Sequence, residues 1–216
     1  TPLIVPPGEV VPGRARAGHP LRREGPEKLT GETKYADDLV FPGAWYGATI
    51  RSIQAHARLL SIELDPDFDW STVVVVTAAD IPGENIVSSI YDDQPALVPV
   101  GGEIRHHAEP VCLVAAPDRA TLREAKGRVS LRTEPLPPVF DPLESSQVFA
   151  HYDIARGDLA AGLAAADLVL EGEYRTGHTE QLYIENNAMI ALPREDGGIE
   201  VHGSMQCPYY AHKALK

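Results

Sequence analysis

The stretch PVCLVAAPDRATLREAKGRVSLRT, residues 110–133, contains the clearest succession of secondary-structure signals in the chain. Its apolar run VCLVAA predicts a buried strand, and Asp118 follows at a position where its side-chain oxygen can cap a helix. Val129, Leu131 and Thr133 then alternate with polar residues, which is the period-two pattern of a half-buried strand. The stretch therefore predicts strand, helix and strand in succession.

Shorter strand candidates precede this stretch at residues 45–52, 57–64 and 72–77, the last being too short and too β-branched to favour a helix. The segment EPLPPVFDP, residues 134–142, follows it. Four of its nine residues are prolines, which lack a backbone donor, so we expect a turn or an extended crossing segment there. These signals predict a compact α/β unit with a domain boundary shortly after the crossing segment.

The two ends of the chain have different character. Residues 1–25 contain five prolines and several glycines without periodicity, which indicates an extended arm. Towards the other end, Gly157-Asp158 is expected to open a short helix that runs through residue 166. Strand candidates follow at residues 168–176, 188–193 and 199–204, and Pro208 is placed to begin a last helix. Because that helix has little room before residue 216, we expect the sequence to be a fragment, a shortened form or a split subunit, the alternative being a frayed natural terminus.

Composition excludes several functional classes. Lys and Arg total 19 against 31 Asp and Glu, giving a formal charge of −12, which disfavours nucleic acids and anionic membrane surfaces as partners. The longest apolar stretch, residues 73–79, is far shorter than the roughly 20 residues that a membrane-spanning helix needs. A cytoplasmic location is therefore expected. Two cysteines are too few for an iron–sulfur cluster held by four thiolates of this chain.

Several polar residues require a chemical interpretation. His56 and Arg58 are two apart, so on a strand they point to the same side. There they could bind a partner's carboxylate or a cofactor phosphate, or hold their unit against a neighbour. In Arg105-His106-His107, consecutive strand residues face opposite ways, so we predict no metal site.

Two further features have structural interpretations. Cys112 lies in the apolar run VCLVA and is expected to be buried and unreactive. The Asp37-Asp38 pair is interpreted as a turn acceptor or a helix cap.

Four segments carry a resemblance to a known family: KLTGETKYADDL (28–39), RSIQAHARLLSIEL (51–64), VVTAADIPGEN (75–85) and EPVCLVAAPDRATLREA (109–125). They resemble, in the same order, the large subunit of molybdenum hydroxylases of the xanthine dehydrogenase/aldehyde oxidase family. An E-P-L-P-x-V-x-D crossing follows in both. Five motifs in register over most of the chain would rarely coincide by chance.

This resemblance implies an α+β fold with two domains after the arm at residues 1–25. Residues 26–145 are expected to form an α/β hammerhead domain. Residues 155–216 are expected to begin a mixed α/β molybdopterin-binding domain, which is truncated or split.

The segment TGHTEQLYIENN, residues 176–187, is similar to the family segment in which a glutamine reaches the molybdenum centre. The family pattern, approximately G-[GH]-Q-E-[HQ]-x-Y-[IL]-E, is matched except at Thr179, which stands at the glutamine position. Three interpretations follow: Thr179 acts through a bridging water, Gln181 takes over after a local shift, or the activity is lost or altered. A purely structural role, as a turn into the strand at residues 188–193, is the alternative.

A second candidate is GSMQCP, residues 203–208, which is similar to the family's S-x-Q-x-P strand end. Gln206 could meet an anionic cofactor at the following helix, or could merely cap that helix. Thr179, Gln181 and Gln206 are therefore the candidate cofactor-binding residues. No catalytic residue is assigned within this chain, since the glycine-rich GGGFGGK-like loop and the glutamate base that the resemblance implies are missing from the sequence.

The resemblance implies a function as part of a molybdenum-dependent hydroxylase that is inactive as this chain alone. Such an enzyme oxidises a purine, another N-heterocycle or an aldehyde, with water as the oxygen donor. The molybdenum–molybdopterin cofactor would be shared with the remaining molybdopterin-binding subunit, and iron–sulfur and FAD cofactors would lie on partner subunits. The alternative is a non-catalytic hammerhead interaction module or a degenerate relic.

Overall fold

The computed structural model describes residues 22–87 and 91–216, so most of the arm expected at residues 1–25 lies outside the described residues. Within them the chain forms two compact units. One unit contains the residues up to Val40 together with Tyr183–Met205, and the other contains Phe41–Leu182 together with Gln206–Lys216. The domain limits expected from the sequence remain predictions.

Strand β5 (Pro110–Ala116) is the centre of a three-stranded antiparallel sheet. It pairs on one side with β1 (Tyr46–Arg51) and on the other with β3 (Val74–Val76). Val111, Cys112, Val114 and Ala116 are fully buried, whereas Leu113 in the same apolar run is 41% exposed. One face of this antiparallel sheet is therefore only partly covered. The strands predicted at residues 45–52 and after Pro110 are confirmed, while the one predicted at 72–77 is reduced to three residues.

A second antiparallel sheet has the order β4-β2-β6, with β2 (Ala57–Leu64) between β4 (Glu103–Ile104) and β6 (Val129–Pro135). β2 and β6 pair over their whole length, with an irregularity between Leu59 and Ser61. The strands predicted at 57–64 and from Val129 are confirmed.

One detail of the expected crossing segment is wrong, because pairing continues into it as far as Pro135. A proline at the end of a strand donates no hydrogen bond, and the next residue can supply the donor instead. Here Leu136 N donates to His56 O at 3.0 Å.

The helix α2 (Arg119–Gly127) lies between β5 and β6 in the chain and begins as predicted. The Asp118 carboxylate oxygen Oδ1 accepts hydrogen bonds from Ala120 N and Thr121 N, both at 2.9 Å. The backbone hydrogen bond from Thr121 is the largest cause that lowers the pKa of Asp118. Ala125 is buried on the inner face of the helix, so this helix packs on the β1–β5–β3 sheet.

The buried side chains of the larger unit form two clusters. The first consists of Ala57, Leu59, Val98, Ile104 and Val111. The second consists of Ile50, Cys112, Val114 and Ala125. Strand β5 contributes residues to both clusters, so it joins the two halves of the hydrophobic core.

The remaining helices and strands are short. They are α1 (Gly25–Thr30), α3 (Leu159–Ala164), β7 (Met189–Pro193), β8 (Ile199–Gly203) and α4 (Pro208–Ala214). β7 and β8 form an antiparallel hairpin whose turn contains Gly197 at φ 81°. These two strands, the helix after Asp158 and the helix that begins at Pro208 confirm the predictions for this part of the chain. Among the described residues, none of the helices has the length and apolar composition needed to cross a membrane.

The strand predicted at residues 168–176 is wrong, because this segment is irregular and exposed along its length. A segment rich in apolar residues forms a stable strand only when a neighbouring strand supplies hydrogen-bonding partners. No strand of the described residues pairs with this segment.

We expect Leu59→Ala to destabilise the protein by about 2–5 kcal/mol, because it removes a fully buried side chain and leaves a cavity. Leu60, its neighbour on β2, is 51% exposed and is the matched control, for which Leu60→Ala should change stability by no more than about 0.5 kcal/mol. Urea unfolding followed by circular dichroism measures both. Equal losses in the two variants would contradict the arrangement of this core.

Candidate functional site

The segment that carries Thr179 and Gln181 is an exposed, irregular stretch of chain. Every residue from 137 to 184 is exposed, and residues 167–188 contain neither helix nor strand. Gln181 N donates to the neighbouring Glu180 Oε1 at 3.1 Å. Within the described residues, the hydroxyl of Thr179 and the side-chain amide of Gln181 make no hydrogen bond, so both are available to a ligand.

The backbone changes direction at Leu182, directly after this segment. Leu182 has φ 50°, in the left-handed region of the backbone that residues other than glycine rarely adopt. The next residue, Tyr183, is the first of the stretch that belongs to the other compact unit. Its hydroxyl accepts a hydrogen bond from Asn187 Nδ2 at 3.0 Å.

Glu185 makes a contact that sequence reasoning missed. Its Oε1 accepts a hydrogen bond from Ala36 N at 3.3 Å, although the two residues are 149 positions apart. Ala36 is the first residue of a 3₁₀ turn, Ala36–Asp38, and is 7% exposed. Asp38 Oδ2 accepts from Tyr35 N at 3.0 Å, which confirms the interpretation of the acidic pair as a turn acceptor. The only signal for the longer contact was that both segments belong to motifs of one family.

Gln206, the third candidate, is exposed and precedes α4. Cys207 occupies the cap position of that helix, and no side chain caps it. The interpretation of Gln206 as a helix cap is therefore wrong, and its amide has no hydrogen-bond partner among the described residues. Position 203 of the same motif needs a glycine for a structural reason, because a side chain there would collide with the Ala188 carbonyl and with Met189 across the hairpin.

His56 and Arg58 lie on the same side of β2, as predicted, and share one carboxylate of their own chain. His56 Nε2 lies 4.0 Å from Glu103 Oε2, and Arg58 Nη2 lies 3.6 Å from Glu103 Oε1. His56 Nδ1 also contacts Pro137 O at 2.7 Å. These contacts hold β4 and the crossing segment against β2, and they give no support to a phosphate-binding role. Such partly exposed pairs contribute little to stability.

Arg105-His106-His107 borders an open cleft of about 410 Å³, lined also by His56 and by Pro137, Pro138, Val139 and Phe140. Arg105 Nη1 donates to Asp93 O at 2.9 Å, and His106 Nδ1 lies 2.9 Å from His107 O. In residues 22–87 and 91–216 no three His, Cys, Asp or Glu side chains are arranged to hold a metal ion.

Cys112 is fully buried in the β1–β5–β3 sheet, as predicted. Burial raises the pKa of its thiol to about 11, so almost no thiolate exists near neutral pH. Cys112 is accordingly a packing residue, whereas Cys207 is exposed.

Comparison with known proteins gives two matches to family models. Residues 30–137 match the model described as aldehyde oxidase and xanthine dehydrogenase, a/b hammerhead domain. Residues 140–216 match the molybdopterin cofactor-binding domain. Together they extend over nearly the whole sequence, including Thr179, Gln181 and Gln206.

Individual relatives agree with these matches. The chain is 29% identical to a probable xanthine dehydrogenase component of Bacillus subtilis over 88% of its own length and 27% of the relative's. It is 31% identical to aldehyde oxidase 4 of Cavia porcellus over 94% of its length and 15% of the relative's. Among solved structures it is similar to quinoline 2-oxidoreductase of Pseudomonas putida 86, with a TM-score of 0.69, 26% identity and coverage of 90% of this chain and 27% of that chain.

The chain thus spans about a quarter or less of the length of these relatives. The fold is α+β, with a hammerhead domain followed by a part of the molybdopterin-binding domain. The matched domains, the order of the motifs and the fold together show that the chain belongs to the xanthine dehydrogenase/aldehyde oxidase family of molybdenum hydroxylases.

Proposed function

We propose that this chain supplies the hammerhead domain and one wall of the molybdenum-cofactor cavity of a multisubunit hydroxylase. The enzyme oxidises a purine, another N-heterocycle or an aldehyde, with water as the oxygen donor, and the chain is inactive alone. The observation that carries the proposal is the exposed segment around Thr179 and Gln181, which lies within the matched cofactor-binding domain and has unused polar groups.

The residues of the candidate site fit a molybdopterin. A pterin presents many donors and acceptors, and amide and hydroxyl side chains can serve both. Thr179, Gln181 and Gln206 offer one hydroxyl and two amides without partners among the described residues. When bound, the cofactor supplies the redox chemistry, and the protein supplies binding and orientation.

Thr179 and Gln181 would contribute differently to that wall. A threonine hydroxyl reaches roughly 2 Å less far from the backbone than a glutamine amide, so Thr179 would act on the cofactor through a bridging water. Gln181 has the longer side chain and can donate directly. Both roles are to bind and orient, and neither requires a change of protonation.

Exposed apolar side chains support the proposal that a second molybdopterin-binding part covers this region. Between residues 139 and 184 the large apolar side chains stand in solvent, among them Phe140, Ile154, Leu170, Leu182 and Ile184. So many exposed large apolar side chains within one stretch of chain favour a covering partner. Iron–sulfur and FAD cofactors would lie on further partner subunits, since this sequence has only two cysteines.

We expect the tagged chain, expressed in its native host, to co-purify with a larger molybdopterin-binding protein and with molybdenum. The reason is that the exposed apolar surface and the unused polar groups require a partner and a cofactor. Affinity purification followed by mass spectrometry and metal analysis measures both. Purification without such a partner and without molybdenum would overturn the proposal.

Thr179 also favours a second candidate function, a non-catalytic interaction module or degenerate relic, because it stands where the family pattern has glutamine. Thr179→Gln in the assembled enzyme distinguishes the two. We expect turnover to stay unchanged or to increase by no more than about tenfold, because one direct hydrogen bond replaces a water-mediated one. Steady-state kinetics with Thr176→Gln as control measures this effect.

Abolished turnover in Thr179→Gln, with Thr176→Gln unaffected, would contradict the assigned register. Absence of turnover in the assembled wild-type protein and in both variants would favour the degenerate relic.

A further inference from the structure

We propose that Glu185 is a positioning residue that fixes the end of the cofactor-facing segment through its hydrogen bond to Ala36 N. The inference rests on the proposed function, because it concerns the segment that contains Thr179 and Gln181. It assigns Glu185 no contact with the cofactor itself.

The burial of Glu185 is the first observation. All residues from 137 to 184 are exposed, and Glu185 is the first residue after them that is partly covered. Carboxylates are covered in proteins mostly where a partner compensates the lost hydration. The partner that the structure gives Glu185 is Ala36 N, at 3.3 Å.

The donor explains why this contact is specific. Ala36 begins the 3₁₀ turn Ala36–Asp38, and the first N–H groups of a helical turn have no acceptor within the turn. Tyr35 N is satisfied by Asp38 Oδ2, so Ala36 N needs an acceptor from elsewhere in the chain. A carboxylate is the strongest acceptor available to a backbone N–H. Glu185 thus supplies the acceptor for the buried first residue of a turn that belongs to a different motif.

The backbone at Leu182 is the second, independent observation. A leucine in the left-handed region is strained and persists only where its surroundings fix it. The chain on the far side of Leu182 belongs to the compact unit that also contains Ala36. Glu185 lies three residues after Leu182. Its contact therefore restrains the backbone that directly follows the change of direction at Leu182.

The consequence concerns the residues before the turn. Thr179 and Gln181 lie in a segment without helix or strand, so their placement depends on how its ends are held. A segment held at one end loses less conformational entropy when it binds a ligand. Removing the Glu185 contact should therefore weaken cofactor retention without removing any group that touches the cofactor.

The test compares three variants of the full 216-residue chain. Glu185→Ala removes the acceptor, and Glu185→Gln keeps an oxygen at the same distance from the backbone. Glu180→Ala is the control, because within the described part of the chain its carboxylate accepts a hydrogen bond from the neighbouring Gln181 N and from no distant residue. Hydrogen exchange of the Ala36 amide, followed by NMR, reports the contact directly. We expect exchange to become about tenfold faster in Glu185→Ala, and to stay within about threefold of wild type in Glu185→Gln and Glu180→Ala.

The same variants are then measured in the assembled enzyme for molybdenum bound per subunit after gel filtration. Glu185→Ala should retain less molybdenum than wild type, and Glu185→Gln should restore most of it. Unchanged exchange of Ala36 in Glu185→Ala would overturn the contact, whatever the metal content. Faster exchange with wild-type metal content would overturn the positioning role. A wild-type assembly without molybdenum would overturn the proposed function, and the positioning role with it, while the exchange result would still report the contact.

Discussion

The larger unit depends on the central position of β5. This strand pairs with neighbours on both edges, and its side chains at Val111, Cys112 and Val114 are fully buried. Because this strand contributes to both hydrophobic clusters, it fixes β1, β3 and the helix α2 relative to the β4-β2-β6 sheet. A polar residue at any of these three positions would face a core without hydrogen-bond partners, so the sequence there is determined by packing rather than by chemistry.

The part of the chain assigned to the cofactor follows a different principle. Its candidate residues lie on exposed, irregular backbone, and among the described residues the features that order the neighbouring chain include the β7–β8 hairpin, the turn at Leu182 and the hydrogen bond of Glu185. Segments with few buried contacts are easily reshaped, and binding sites are frequently built on such segments, supported by a more rigid scaffold. Under the proposed function, the hammerhead gives the rigidity, and the segment around Thr179 gains its final order from the cofactor and the neighbouring subunit part.

The sequence correctly predicted those helices and strands for which several local signals, such as an apolar run, a cap and a periodic pattern, indicate the same structure. In residues 110–133 the apolar run, the cap at Asp118 and the alternation after Val129 each require the structure that is observed. The strand expected at residues 168–176 failed because a strand needs a neighbouring strand to supply hydrogen-bond partners, and the local sequence does not specify one. The contact between Glu185 and Ala36 was not predictable from spacing, since the acceptor and the donor are 149 residues apart. Gln206 does not cap the helix that follows it, because no side chain caps that helix, and its role towards a cofactor stays a prediction.

Under the proposed function, the segment around Thr179 and Gln181, together with Gln206, faces the molybdenum cofactor. Hydrogen exchange of the assembled hydroxylase, compared with and without bound cofactor, tests this placement most directly because these residues are exposed in the chain itself. We predict slower exchange in residues 176–182 and around Gln206 when the cofactor is present, with the strands of the hammerhead unchanged. Equal exchange of both regions in the two states would contradict the placement.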